Sequence, residues 1–220
     1  MLKEYKTDQI RNVVILGHGS TGKSTLFDAI LLMGKQIEKI GSPTQGTLTS
    51  DYDEEEKERQ MSIRSALGFV ELDSVKINII DTPGMSDFIG EARAATQVAE
   101  AAILVVDSVD GIQIETEKAW RYLREHSIPT IVFVNKMDKE RASYDILEKI
   151  RAGMGNNVVA VSMPIGSADT LKGVIDLVEM KAKMPKPDGK DVTTTEIPAD
   201  MKTMAESERS KLVELAAEGD

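Results

Sequence analysis

Val13-Val14-Ile15-Leu16, followed by Gly17-His18-Gly19-Ser20-Thr21-Gly22-Lys23-Ser24, is the stretch that sets the architecture. Four consecutive apolar residues read as a buried strand. The glycine-rich segment behind them has the spacing G-x-x-x-x-G-K-[ST], and Leu26, Ile30 and Met33 then recur at helical spacing. A strand, a glycine-rich turn and a helix in that order make an anion cradle. Backbone N–H groups turn inward, and the helix adds its positive N-terminal end. The pattern assigns phosphate contacts to Gly17, His18, Gly19, Ser20, Thr21, Gly22, Lys23, Ser24 and Thr25. Lys23 would reach the β- and γ-phosphates, and Ser24 would place its hydroxyl on Mg2+. Taken alone, the pattern fits any P-loop nucleotidase.

A second motif names the base. Residues 128–134 (Ile-Pro-Thr-Ile-Val-Phe-Val) read as another buried strand, and Asn135-Lys136-Met137-Asp138 stands at its C-terminal end. Ligands of open α/β sheets bind at that end of the strands. The Asp138 carboxylate can accept hydrogen bonds from N1–H and the exocyclic amine of guanine. Adenine would leave it unmet, which is costly for a buried acceptor. Asn135 would brace the loop, and the Lys136 stem would lie along the base. By itself N-K-x-D is a common polar turn. After a strand and downstream of a phosphate loop, it points to GTP and GDP rather than ATP.

Between the two motifs, residues 76–80 read as a strand ending at Asp81-Thr82-Pro83-Gly84. Asp81 would hold Mg2+ through a water, and the Gly84 N–H would meet the γ-phosphate. Loss of that phosphate would release the segment. The alternative is an ordinary tight turn, which Pro and Gly favour. Another switch is expected between the first helix and this strand. Residues 41–50 are rich in Gly, Ser, Thr and Pro and read as a loop. The charge run 53–59 reads as a solvated helical face. Ser62 behind it is the hydroxyl in register to complete the magnesium shell.

With these residues in place, the chain resembles the N-terminal GTPase region of bacterial elongation factor G over essentially all of its 220 residues. Residues 51–66 resemble that family's first switch. Asp81-Thr82-Pro83-Gly84, with Asp87-Phe88, resembles its second. Pro164-Ile165-Gly166, Gly173-Val174-Ile175-Asp176-Leu177 and Ile197-Pro198-Ala199-Asp200-Met201 resemble a subdomain inserted in that family. The resemblance implies a GTP-binding domain over residues 1–154 and part of an inserted α+β subdomain over 155–220. It also implies a P-loop α/β fold, a mainly parallel sheet with helices on both faces, GTPase activity and the ribosome as partner. In the family the chain later returns to the core and supplies a Ser-Ala loop against guanine. No such segment precedes Asp220, and Ser162-Met163 comes too early. A chain cut within the insert, with one uncovered sheet edge, is therefore expected.

Three departures from the family pattern stand out. Met85 occupies the position of a water-orienting His, and a thioether cannot donate to water. Lys23 and Gly84 keep their roles toward the γ-phosphate, but the character of position 85 in catalysis changes. Several readings stay open: a GTPase acting on or near the ribosome, whether as translocase, recycling factor or ribosome-protection factor, or a GTP-binding switch with little or no hydrolysis. Ser20 stands where many members carry an Asp that helps hold a monovalent cation. Arg59-Gln60-Met61-Ser62-Ile63 stands for Arg-Gly-Ile-Thr-Ile, which keeps the hydroxyl at Ser62.

Composition narrows the remaining possibilities. A net charge of −10 argues against free electrostatic binding to RNA or DNA, so no sequence-specific DNA binding is expected. The absence of cysteine excludes a disulfide framework and thiolate chemistry. No apolar run approaches membrane-spanning length, and the charged first eleven residues lack a signal core. A cytoplasmic monomer without membrane contact is expected. Further strands are predicted at 12–16, 65–72, 102–106, 158–163 and 171–177, with helices at 23–33, 87–99, 115–125, 143–151 and 202–217. Ala119, Trp120 and Leu123 should face the core, and residues 185–189 read as a turn. His18 has no acid partner in sequence and reads as structural. His126 reads as exposed or as a helix C-terminal partner.

Overall fold

The computed structural model describes residues 3–155, 157–186 and 191–218. The fold is α/β, with a mostly parallel five-stranded sheet of P-loop type and a separate antiparallel sheet. In chain order the elements begin β1 (Ile10–Leu16), α1 (Lys23–Met33), α2 (Glu54–Arg59), β2 (Ala66–Leu72), β3 (Val75–Asp81) and α3 (Ile89–Thr96). They continue with β4 (Ala101–Asp107), α4 (Ile114–Glu125), β5 (Thr130–Asn135) and α5 (Ile146–Met154). The last are β6 (Ser162–Ile165), β7 (Gly173–Asp176), β8 (Lys181–Pro185), β9 (Val192–Thr195) and α6 (Lys202–Glu218). Two compact units result: Met1–Val106 with Gln113–Asn135, and Asp107–Ile112 with Lys136–Asp220.

In the first unit the sheet order is β2-β3-β1-β4-β5. β1 pairs in parallel with β3 and β4, and β2 closes a hairpin onto β3 antiparallel. Ile15, Phe27, Leu31, Val70, Ile79 and Val105 form a core in which α1 lies on the β1–β3 side. Gly68 lets α1 approach: a Cβ there would stand 2.8 Å from both Leu31 and Phe27. In α4, Leu123 is fully buried, whereas Ala119 and Trp120 are only half-buried. The tryptophan thus lies at the margin of the core, not inside it.

β5 corrects an expectation. Its apolar run reads as buried on both faces, yet Ile131 is 62% exposed and Phe133 39%. They alternate with half-buried neighbours, the period-two pattern of an edge strand with one covered face. A short apolar run cannot by composition distinguish these two situations.

The second unit carries an all-antiparallel sheet, β6-β7-β8-β9. Met163, Ile175, Leu177 and Ala182 pack with Ala205 of α6, and Tyr144, Leu147 and Met201 flank them. The strand predicted at 158–163 begins only at Ser162, and β8 and β9 have no counterpart among the expected elements. Lys181-Ala182-Lys183-Met184 and Val192-Thr193-Thr194-Thr195 are short, and β9 is exposed at every position, so neither carries a strong apolar signal. Of the turn read at 185–189, positions 187–189 lie outside the described residues. Arg151 ties the helices of this unit together. It donates to Glu208 and to Glu148, each at 2.7 Å, and to the Val158 carbonyl at 3.1 Å.

Candidate functional site

The phosphate loop joins β1 to α1 through three positive-φ positions, Gly17 (φ 144°), Ser20 (φ 61°) and Gly22 (φ 93°). At Gly22 a side chain has no room, because a Cβ would stand 2.3 Å from the Asn135 amide nitrogen. That amide donates to the Thr21 carbonyl at 2.8 Å, so the end of β5 braces the loop across the sheet. The Thr21 hydroxyl and the Lys23 ammonium both donate to the His18 carbonyl, at 2.9 and 2.8 Å. Lys23 is buried, and burial pushes its pKa down to about 8, against the pull of nearby Asp81. A buried ammonium held by one carbonyl is an electrostatic deficit that an anion would fill.

Asp81 ends β3, and Thr82 is fixed by donating to the Ile15 carbonyl at 2.7 Å. Pro83 and Gly84 then turn onto the phosphate loop. A Cβ at Gly84 would meet Lys23 Nζ at 2.3 Å and the Gly19 nitrogen at 2.6 Å. Only glycine permits this closeness. Asp81 is 1% exposed, and its Oδ1 lacks a hydrogen-bond partner among the described residues. Burial raises its pKa to about 6, with the Ser24 hydroxyl and Lys23 opposing. Ser24 Oγ lies 3.2 Å from Ser62 Oγ. Two hydroxyls and an orphaned carboxylate are an all-oxygen donor set of the kind a hard divalent cation takes, so these residues fit Mg2+.

Met85 is 38% exposed, and its sulfur stands 3.0 Å from where a Cβ of Gly19 would be. It borders a groove, open to solvent, between α3 and α4, with Leu16, Pro83, Ile89 and Ala119 in its walls. Glu115, also in that wall, supplies the acid partner that sequence reading did not find for His18: its carboxylate bonds His18 Nδ1. The two residues are 97 positions apart, so no local signal could have paired them. Desolvation pushes the Glu115 pKa up, but a hydrogen bond from its own backbone N–H and those with His18 and Ser86 outweigh it and lower the pKa.

Two further residues that sequence reading passed over hold the backbone between 41 and 64. Asp28, fully buried on α1, accepts from the N–H groups of Gly41 at 2.9 Å and Thr49 at 3.1 Å. Glu56, read as part of a solvated charge run, is 1% exposed. Its neighbours Glu54, Glu55, Glu58 and Arg59 do face solvent. The Ser65 N–H donates to Glu91 of α3 at 3.1 Å, which links the start of β2 to α3.

In the second unit, Lys136 takes a left-handed turn (φ 61°), and its ammonium pairs with Asp107 at 2.7 Å. Asp107 also accepts from the N–H groups of Val109 and Asp110, and the Ser108 hydroxyl donates to the Lys136 carbonyl. The lysine head is therefore anchored, which the motif did not announce. Asp138 is exposed. The Ala168 N–H donates to the Met137 carbonyl at 2.8 Å, pinning the 136–138 turn to the β6–β7 connection.

A strand–loop–helix phosphate cradle on a mostly parallel sheet, with an Asp-Thr-Pro-Gly turn closed over it, defines a P-loop nucleotide-binding protein. The family described as "Elongation factor Tu GTP binding domain" matches residues 8–187. The chain belongs to that family and is a GTP-binding domain of the translational-GTPase type. It is also similar to a protein of Thermus thermophilus of known crystal structure, at 30% identity and a TM-score of 0.90. That match covers 96% of this chain and 32% of the Thermus protein, so the chain spans about a third of its length. No helix among the described residues is long and apolar enough to cross a membrane.

Proposed function

We propose that this chain binds GTP with Mg2+ and hydrolyses it, as the nucleotide switch of an elongation-factor-G-like translation factor acting on the ribosome. The observation that carries the reading is the closeness of Gly84 to Lys23, where a Cβ would stand 2.3 Å from the ammonium: it supports a turn whose N–H and the lysine would meet the same γ-phosphate. Gly17 to Thr25 would cradle the phosphates, and Lys23 would neutralise the charge that develops in the transition state. Ser24, Ser62 and Asp81 would hold Mg2+, which would supply positive charge to stabilise the transferring phosphate. Thr82 and Pro83 would set the turn that aims the Gly84 N–H. Asn135, Lys136 and Asp138 would select guanine. The elongation-factor-G assignment is supported by the segments at 164–166, 173–177 and 197–201. The domain division proposed is 1–154 and 155–220, in a cytoplasmic monomer.

A second reading rests on Met85. With no donor or base at that position, the attacking water loses its orienting group, and the protein would act as a slow binding switch. Single-turnover hydrolysis of GTP, with and without ribosomes, separates the two. We expect a slow intrinsic rate that ribosomes raise, and a rise of about 100-fold in Met85→His, the size of a general acid–base contribution. Rates that stay at background level in both proteins, with ribosomes as well as without, would leave the binding switch standing. Displacement of labelled GTP by equimolar ATP would overturn the guanine assignment.

A further inference from the structure

Glu56 is the one carboxylate of an acidic run that the fold removes from water. Its Oε1 accepts from the N–H groups of Ile63 at 2.8 Å and Arg64 at 3.0 Å, and its Oε2 accepts from Asp53 N–H at 3.3 Å. Three backbone donors converge on a side chain with no cation within salt-bridge distance among the described residues. Both oxygens of a carboxylate held this way accept hydrogen bonds, and its burial is compensated by amides alone. Between Glu56 and its two downstream amides the chain makes a tight reversal: Gln60 is left-handed (φ 51°), and the Met61 N–H donates to the Glu56 carbonyl at 3.1 Å. Ser62 lies inside this loop, one residue before the bonded pair. Its hydroxyl is thereby presented to Ser24 at 3.2 Å.

We propose that Glu56 is a positioning residue of the nucleotide site. By clamping the amides at 63 and 64 it holds the Ser62 hydroxyl where it can join Ser24 around the metal ion. This inference rests on the GTP·Mg2+ reading above and adds a residue to it. The position also explains how left-handed geometry is sustained at a non-glycine residue. The Glu56 clamp fixes both ends of the reversal, so the strain at Gln60 cannot relax by opening it. When the γ-phosphate is lost and the segment is released, the clamp has no metal to present Ser62 to. Its influence should then be confined to the triphosphate state.

The test measures release of fluorescent GTP and GDP analogues from the whole chain over a Mg2+ titration, with thermal melting of each variant alongside. In Glu56→Ala we expect the Mg2+ concentration that half-maximally slows GTP-analogue release to rise about 10-fold, the cost typical of losing an outer-shell partner. The GDP-analogue curve should stay within about twofold of the parent, because the clamp acts on a segment released in that state. Glu56→Gln keeps an acceptor for the 63 and 64 amides but turns a donor toward the Asp53 N–H, so it should fall between parent and Glu56→Ala. Ser62→Ala should reproduce the Glu56→Ala shift, and the double variant should be no worse than either single, as expected for residues acting in series. Equal loss for GTP and GDP together with a lowered melting temperature would overturn the proposal, since that marks a merely structural role. An unchanged GTP-analogue Mg2+ curve in Glu56→Ala would overturn it too. Failure of the parent chain to bind either analogue would sink the nucleotide reading itself.

Discussion

Gly84 and Lys23 are where single-atom geometry has the sharpest consequence. A methyl group at position 84 would stand 2.3 Å from the ammonium, so Gly84→Ala must push either the turn or Lys23 away. GTP-analogue affinity should fall at least about tenfold, roughly the loss of one charge-assisted hydrogen bond, while GDP affinity changes little. Calorimetry checks both. The same residue scale governs proton linkage. Burial lowers Lys23 to about 8, so the unfolded chain binds more protons between there and the usual lysine value, and apo stability rises with pH through that window. An anion restores the charge. GTP binding near pH 8 should therefore take up about half a proton. Asp81 has the opposite sign. Raised to about 6, it favours the folded state while protonated, and that advantage is lost as pH rises through that value. Metal loading near pH 6 should expel about half a proton. Binding heats that do not vary with buffer ionisation enthalpy would contradict both statements.

At the scale of elements, α1 has two roles. Its apolar face carries Phe27 and Leu31 into the core, and Asp28 on the same helix caps the loop amides at 41 and 49. Phe27→Ala should cost about 3–5 kcal/mol by leaving a cavity, read as a lower denaturation midpoint without a change in slope. Asp28→Ala should act locally instead. Two loop amides lose their acceptor, so amide exchange at 41–49 should quicken while β1 and β4 stay protected. In the second unit, Glu208→Ala would leave Arg151 half-paired between α5 and the 158 carbonyl. We expect a loss of about 2 kcal/mol, below the range for a fully orphaned charge because Glu148 remains. The strands β8 and β9 belong to this scale as well. β8 alternates polar and apolar residues only over Lys181 to Met184 and lies between β7 and β9, whereas β9 is exposed at every position and is ordered by its ladder to β8 rather than by burial.

Across the whole molecule, the order β2-β3-β1-β4-β5 explains why one glycine-rich loop could announce a fold. A loop that leaves a parallel strand and enters a helix needs neighbours on both sides: β3 brings the Asp81 turn to the same end of the sheet on one side, and β5, beyond β4, brings Asn135 on the other. Elements with strong local periodicity, such as α1 at 23–33, are legible to the residue, and β1 to β5 to within two residues. The phosphate loop, the Asp81 turn and the Asn135 turn are equally readable, because each is a chemical pattern compressed into four to eight neighbours. What stays hidden are pairings at long range and the direction in which a polar side chain faces. Composition along the chain fixed the class of fold and the identity of the motifs, since backbone turns and phosphate cradles are encoded by adjacent residues. The burial of Glu56 among like charges, the meeting of His18 with Glu115, the anchoring of Lys136 by Asp107 and the exposure of Phe133 became settled only on packing. Which face of an element loses water depends on partners that lie tens of residues away.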